Sequence, residues 1–257
     1  MEDREYRKQY EVEDRHWWYL GHRFLYAYLL DGHCPEAPRG RVLDAGCGTG
    51  GFTCWLRERY RPRYLVGVDI GEEALRFCRE RGLEELRRCG VEDLPFADGS
   101  FDLVLSLNVI YHRAVADDGA ALREMARVLS PGGWLLLNLP AHEVLRGSHD
   151  RAVEGARRYR AEQVSEMLAS AGLVPVKVTY FVFTLFPAVL AFRLASRITS
   201  RPGSSSDLRM PPVLLNDALA SLLALEARVA MRRRLPLGSS LTALARKRPQ
   251  PGEDEAQ

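Results

Sequence analysis

Three groups of side chains in this 257-residue chain have types and spacings that could do chemistry. The first is Asp44-Ala45-Gly46-Cys47-Gly48-Thr49-Gly50-Gly51. Its glycines allow a bare, tight turn on which a ligand can lie against the peptide backbone, and the helix that follows offers unpaired N–H groups. Asp44, just before the turn, attracts a cationic amine and repels a pyrophosphate. Gly46, Gly48 and Gly51 also fit the G-x-G-x-x-G spacing of dinucleotide turns, so the glycines alone leave NAD and other nucleoside cofactors open. The second group is Asp69, whose paired oxygens can accept two ribose hydroxyls or cap the Gly71-Glu72-Glu73 segment. The third is His149-Asp150 followed by Arg157-Arg158-Tyr159. There His149 and Asp150 could move or orient an acceptor proton while an arginine holds an acceptor anion; the same arginines could instead pair with Glu154 or Glu162 on the surface. His112 could serve as a general base or as a structural hydrogen-bonder.

Positioning these groups requires a regular scaffold. Val42-Leu43 reads as a buried strand feeding the turn. Helix 52–60, strand 64–69, helix 72–81, a short strand at 86–89, strand 101–107, helix 117–129 and strand 133–139 then alternate as βα units. That alternation predicts an α/β, doubly wound, mostly parallel sheet with helices on both faces, and ligands beyond the carboxyl ends of its strands, where Asp44, Asp69, Val91 and Asn108 fall. Upstream, residues 1–15 show no apolar stripe, and 16–30 read as an aromatic-rich helix. Downstream come helix 162–171, strand 174–183, helix 185–198, a flexible linker at 200–207, helix 216–233 and a strand at 237–245. The resulting division is an N-terminal helical cap (1–39), an α/β core (40–183), a helical insertion (184–236), a final strand (237–248) and a disordered tail (249–257).

Val42-Leu43-Asp44-Ala45-Gly46-Cys47-Gly48-Thr49-Gly50 resembles the first motif of class I S-adenosylmethionine (SAM)-dependent methyltransferases of the bacterial small-molecule type. Val66-Gly67-Val68-Asp69-Ile70 resembles their second strand. The run from Leu94 to Val104 resembles the approach to their fourth strand, and that from Arg127 to Leu137 the turn into their fifth. The resemblance covers residues 40–140 and implies a seven-stranded Rossmann-like sheet that binds SAM. The cofactor would be held by Asp44, Gly46, Cys47, Gly48, Asp69, Ile70, Gly90, Val91 and Asn108, with Arg23 of the N-terminal helix meeting its carboxylate. Trp17, Tyr111, Arg157, Arg158 and Tyr159 would line the acceptor. One departure stands out: Gly90 occupies the place where many members carry an Asp that reads adenine, which leaves adenine to the backbone at Gly90 and Val91, or to Glu92 or Asp93. The implied activity is methyl transfer to a small, partly apolar acceptor with a polar or anionic group, on oxygen, nitrogen or carbon. The alternative is a SAM-binding regulator or scaffold without catalysis.

The near balance of 36 basic and 34 acidic residues leaves no large field to attract nucleic acid. Arginine clusters at 57–63, 232–234 and 246–248 could be local phosphate or lipid-headgroup sites, hence peripheral membrane contacts, or plain solvated faces. Five cysteines without a C-x-x-C pair point to a reducing cytoplasm, and no metal is expected. No export signal opens the chain, and the apolar run 178–192 is shorter than the roughly 20 residues a membrane span needs. The insertion is expected to cover the acceptor side of the cleft or to make a homodimer contact.

Overall fold

Seven strands form one sheet in the order β3-β2-β1-β4-β5-β7-β6: β1 (Arg41–Ala45), β2 (Tyr64–Asp69), β3 (Leu86–Arg88), β4 (Phe101–Leu107), β5 (Leu129–Pro140), β6 (Leu173–Phe181) and β7 (Ser240–Lys247). The first five run parallel, and β7 is antiparallel to both β5 and β6. The computed structural model describes residues 3–199 and 208–249. The expected linker at 200–207 and nearly all of the expected tail lie outside the described residues.

The helices are α1 (Asp3–Val12), α2 (Trp17–His33), α3 (Gly51–Tyr60), α4 (Glu72–Glu80), α5 (Asp118–Val128), α6 (Ser148–Ala152), α7 (Ala161–Ser170), α8 (Phe186–Thr199) and α9 (Val213–Arg232). Covered on both faces, the central strands read as near-continuous apolar runs. Val42, Leu43, Leu103, Val104, Leu105, Leu135 and Leu136 are all fully buried.

Several boundaries differ from the sequence expectation, three of them for a visible physical reason; α2 runs on to His33, β6 stops at Phe181 and α9 starts at Val213. Residues 3–12 form a helix whose packing face is made of polar residue types: Tyr10 stacks on Phe77 of α4 at 4.5 Å, Tyr6 is buried, and so are the carboxylates Glu5 and Glu13. A hydrophobic stripe search passes over such a face. β5 begins at Leu129, because the Pro131-Gly132 step, with Gly132 at φ 73°, is absorbed as an irregularity in the strand. β7 begins only at Ser240, since Gly238 lies directly against the Phe181 backbone; a Cβ there would come within 2.2 Å of the Phe181 carbonyl oxygen.

The insertion between β6 and β7 is built into the domain through α9. Leu223 sits on Gly21 of α2 so closely that a Cβ at Gly21 would meet its Cδ1 at 2.4 Å. Asn216 accepts from the Trp17 N–H at 2.9 Å and donates to the Arg15 carbonyl at 2.9 Å. Buried Glu226 accepts from the N–H groups of Phe183 and Thr184 and from the Thr184 hydroxyl, which fixes the exit from β6. Lys177 of β6 donates to the Met231 carbonyl at 3.0 Å.

Candidate functional site

The turn after β1 is held from two sides. Its Gly46 and Cys47 N–H groups both donate to the Val68 carbonyl of β2, and its Gly48 N–H donates to Asp69 Oδ2 at 2.9 Å. Gly46 has φ 95°, and a Cβ there would lie 2.2 Å from the Val109 side chain, so only glycine fits. Asp69 Oδ1 accepts from the Gly71 N–H at 2.8 Å. Thus Asp69 ties β2 to both the glycine turn and the start of α4, and each oxygen retains a lone pair for a further donor.

Three carboxylates converge on this turn. Asp44 is buried and accepts from the Thr53 hydroxyl at 2.6 Å; burial foremost, then the charges of Asp69 and Glu13, pushes its pKa up to about 7. Burial also raises Asp69, against the opposing pull of its N–H donors. Glu13, just past α1, is raised by burial as well; it accepts from the Thr49 hydroxyl and from Arg81 at 3.0 Å, and lies so close to Gly51 that a Cβ there would be 2.3 Å from its Cδ. An acidic lining of this kind stabilises a bound cation and disfavours a pyrophosphate. Arg23 reaches the same place, but its guanidinium donates to the Gly51 carbonyl at 3.0 Å and to Asp14 at 2.9 Å. Cys47 of the turn packs under it, with its sulfur 3.7 Å from that of Cys78.

Beside Asp69 the surface is open. Ile70 leaves 56% of its surface exposed, and a Cβ added at Gly90 would touch nothing within 4 Å. Val91 is buried next to it. Glu92, by contrast, accepts from the Ala116 and Asp117 N–H groups and so braces a neighbouring loop.

At the ends of β4 and β5, Asn108 is held at φ 58°, and its Oδ1 accepts from Asn138 Nδ2 at 3.1 Å; Asn138 in turn accepts from the Thr242 hydroxyl at 2.7 Å. Tyr111 is buried against Gly155 and neighbours His112, with ring centroids 4.7 Å apart. Burial lowers the His112 pKa to about 4, which keeps its ring neutral. Burial foremost, then the charges of Glu13 and Tyr111, raises the phenol of Tyr19 on α2. Trp17 is half-buried at the head of the same helix.

The Arg-Arg-Tyr segment differs from the sequence expectation. The Arg157 guanidinium donates to the carbonyls of Ile110, Val115 and Ala116. Arg158 and Asp150 form a buried two-pronged ion pair, and Arg158 also donates to the Ala141 carbonyl at 2.8 Å. Tyr159 is fully buried, its hydroxyl 2.9 Å from Asp118. All three brace the chain after β5 against the loop after β4, with their polar groups engaged by protein. The His149 side chain lies outside the described residues.

Sequence reasoning passed over Glu13 and His142, which carry no motif, and singled out His22. His22 is buried, stacks on Trp18 at 3.9 Å and keeps Nε2 without a hydrogen-bond partner. His142 sits at φ 53° just past β5, stacked on Tyr180 at 4.7 Å, also with Nε2 unpartnered.

Residues 43–137 match the methyltransferase domain family. Over 100 residues the chain is 40% identical to a fatty-acid O-methyltransferase of Mycolicibacterium smegmatis, covering 37% of this chain and 35% of that protein. Over 173 residues it is 28% identical to a probable S-adenosylmethionine-dependent methyltransferase of Mycobacterium tuberculosis, covering 65% of this chain and 59% of that protein. The chain therefore spans about a third to three-fifths of the length of these relatives. In fold it is similar to a crystal structure from Thermotoga maritima described as a SAM-dependent methyltransferase and possible histamine N-methyltransferase. That similarity has a TM-score of 0.58 at 24% identity and covers 90% of this chain and 93% of the other.

Proposed function

We propose, from the premise that this chain carries the methyltransferase domain of the class I SAM-dependent family, that it transfers a methyl group from SAM to a small, partly apolar acceptor. The observation that carries the reading is the convergence of Asp44, Glu13 and Asp69 on a glycine turn. A sulfonium and an ammonium suit that lining; the pyrophosphate of NAD does not. When bound, the cofactor supplies a methyl group already made electrophilic by its sulfonium, so the protein's task is placement and exclusion of water.

In this reading Asp44, Gly46, Cys47, Gly48 and Asn108 hold the methionine portion, Asp69 the ribose, and Ile70, Gly90 and Val91 the adenine. Arg23 helps shape the pocket through its bond to the Gly51 carbonyl. Trp17 and Tyr111 wall the acceptor. With its pKa near 4, His112 is a poor proton acceptor and acts by orientation, and Asp150 is engaged in its ion pair. Such a site favours an acceptor that arrives already ionised. A fatty-acid-like carboxylate meets that demand and the apolar wall together, and the fatty-acid O-methyltransferase relative supports it.

Incubation with methyl-labelled SAM and a series of fatty acids tests the proposal. Label should pass into base-labile methyl esters. If S-adenosylhomocysteine binds but no label leaves SAM with any fatty acid, alcohol or amine offered, the chain is a SAM-binding regulator instead.

A further inference from the structure

The entrance to α9 is an apolar tip. Val213 is 72% exposed, Leu214 86% and Leu215 51%, and Met210 just before them is also exposed. The segment Leu208-Arg209-Met210-Pro211-Pro212-Val213-Leu214-Leu215 contains no acid, and the first carboxylate along the helix is Asp217. Exposed arginines flank the tip: Arg209 within it, and Arg15, whose carbonyl is tied to Asn216 one residue beyond it. The tip is tied down at its base, where Asn216 bonds to Trp17 and Arg15 and the Arg209 backbone meets the His16 ring.

We infer that this tip inserts into the surface of an anionic lipid bilayer, from which an acyl-bearing acceptor enters the cleft; the second part rests on the function proposed above. The shape argues for a fluid partner. Successive helical residues are about 100° apart, so Val213, Leu214 and Leu215 point in three directions around one turn. A rigid protein face would need a socket enclosing the helix end, whereas acyl chains surround a protrusion from every side. Pro211 and Pro212 reinforce this, since neither brings a backbone N–H that lipid would leave unsatisfied. The charge argues for an anionic headgroup, as basic side chains beside an apolar wedge are the arrangement of interfacial anchors. Position argues for function: the tip adjoins His16 and Trp17, at the head of the helix that carries Arg23 to the glycine turn.

Co-sedimentation with phosphatidylcholine vesicles, with and without half phosphatidylglycerol, tests this on the full chain. The wild type should bind the anionic vesicles, and binding should weaken with salt. The triple variant Val213→Ser, Leu214→Ser, Leu215→Ser should lose about tenfold or more in partition. Arg15→Gln with Arg209→Gln should weaken binding to anionic vesicles and leave that to neutral ones unchanged. All five positions are exposed, so thermal melting and S-adenosylhomocysteine affinity should match wild type; these also separate a failure here from a failure of the proposed cofactor. Methyl transfer to a micelle-free short-chain acid should persist in the triple variant, while transfer to a vesicle-borne acid falls with partition. Three results would overturn the inference: no vesicle binding by the wild type, equal binding by the triple variant, or a wild-type dimer that the triple substitution converts to monomer.

Discussion

Arg158 and Asp150 are paired in the interior, Nε to Oδ1 at 2.9 Å and the second prong to Oδ2 at 3.1 Å, with Asp150 also accepting from the Gly147 N–H. Removing one partner leaves the other charged and buried, which costs about 3–5 kcal/mol. Urea denaturation should show Arg158→Ala destabilised by that order. Replacing both residues with apolar ones should recover much of the loss. An Arg158→Ala protein of wild-type stability that loses acceptor affinity would return this arginine to the acceptor site.

Asp44 makes stability and ligand binding depend on pH. Its folded pKa, about 7, is above the ordinary 3.8, so its contribution to stability is full below the ordinary value and is lost as pH rises through about 7. Stability of the ligand-free protein should therefore fall between pH 5 and pH 8 by on the order of 3 kcal/mol through this group, a slope that Asp44→Asn removes. Pairing with a ligand amine requires the ionised form. Calorimetry of S-adenosylhomocysteine binding in buffers of different ionisation heat should show about one proton released near pH 6 and almost none near pH 8.

Gly21→Ala tests whether α9 is part of the domain. The added methyl would meet Leu223 at its Cβ, 2.7 Å away, as well as at its mobile end. Overpacking of this kind costs about 1–3 kcal/mol. The expected result is a lower melting temperature in a still-folded protein. An unchanged melting temperature would mean that α9 is not seated on α2.

What could be read from the residues follows from which interactions are local. The glycine turn, Asp69 and the βα alternation are written in short spacings, so β1 to β5 and the turn that joins β1 to α3 were legible. Arg157, Arg158 and Tyr159 were visible as a dense cluster, but their partners, Ile110, Ala141, Asp118 and Asp150, come from three separate segments, and sequence could not tell an acceptor site from a brace. Glu13 escaped for the same reason: its partners, Thr49, Gly51 and Arg81, lie 36 to 68 residues away. α1 was missed because tyrosines and buried acids, rather than aliphatic residues, make its packing face.

The function of the chain turns on what binds at the glycine turn. Isothermal titration of the purified chain with S-adenosylhomocysteine and, separately, with NAD decides it. S-adenosylhomocysteine should bind at micromolar concentration, NAD should not, and Asp69→Ala and Gly46→Ala should each abolish the signal while the protein stays folded. Binding of NAD without binding of S-adenosylhomocysteine would contradict the account.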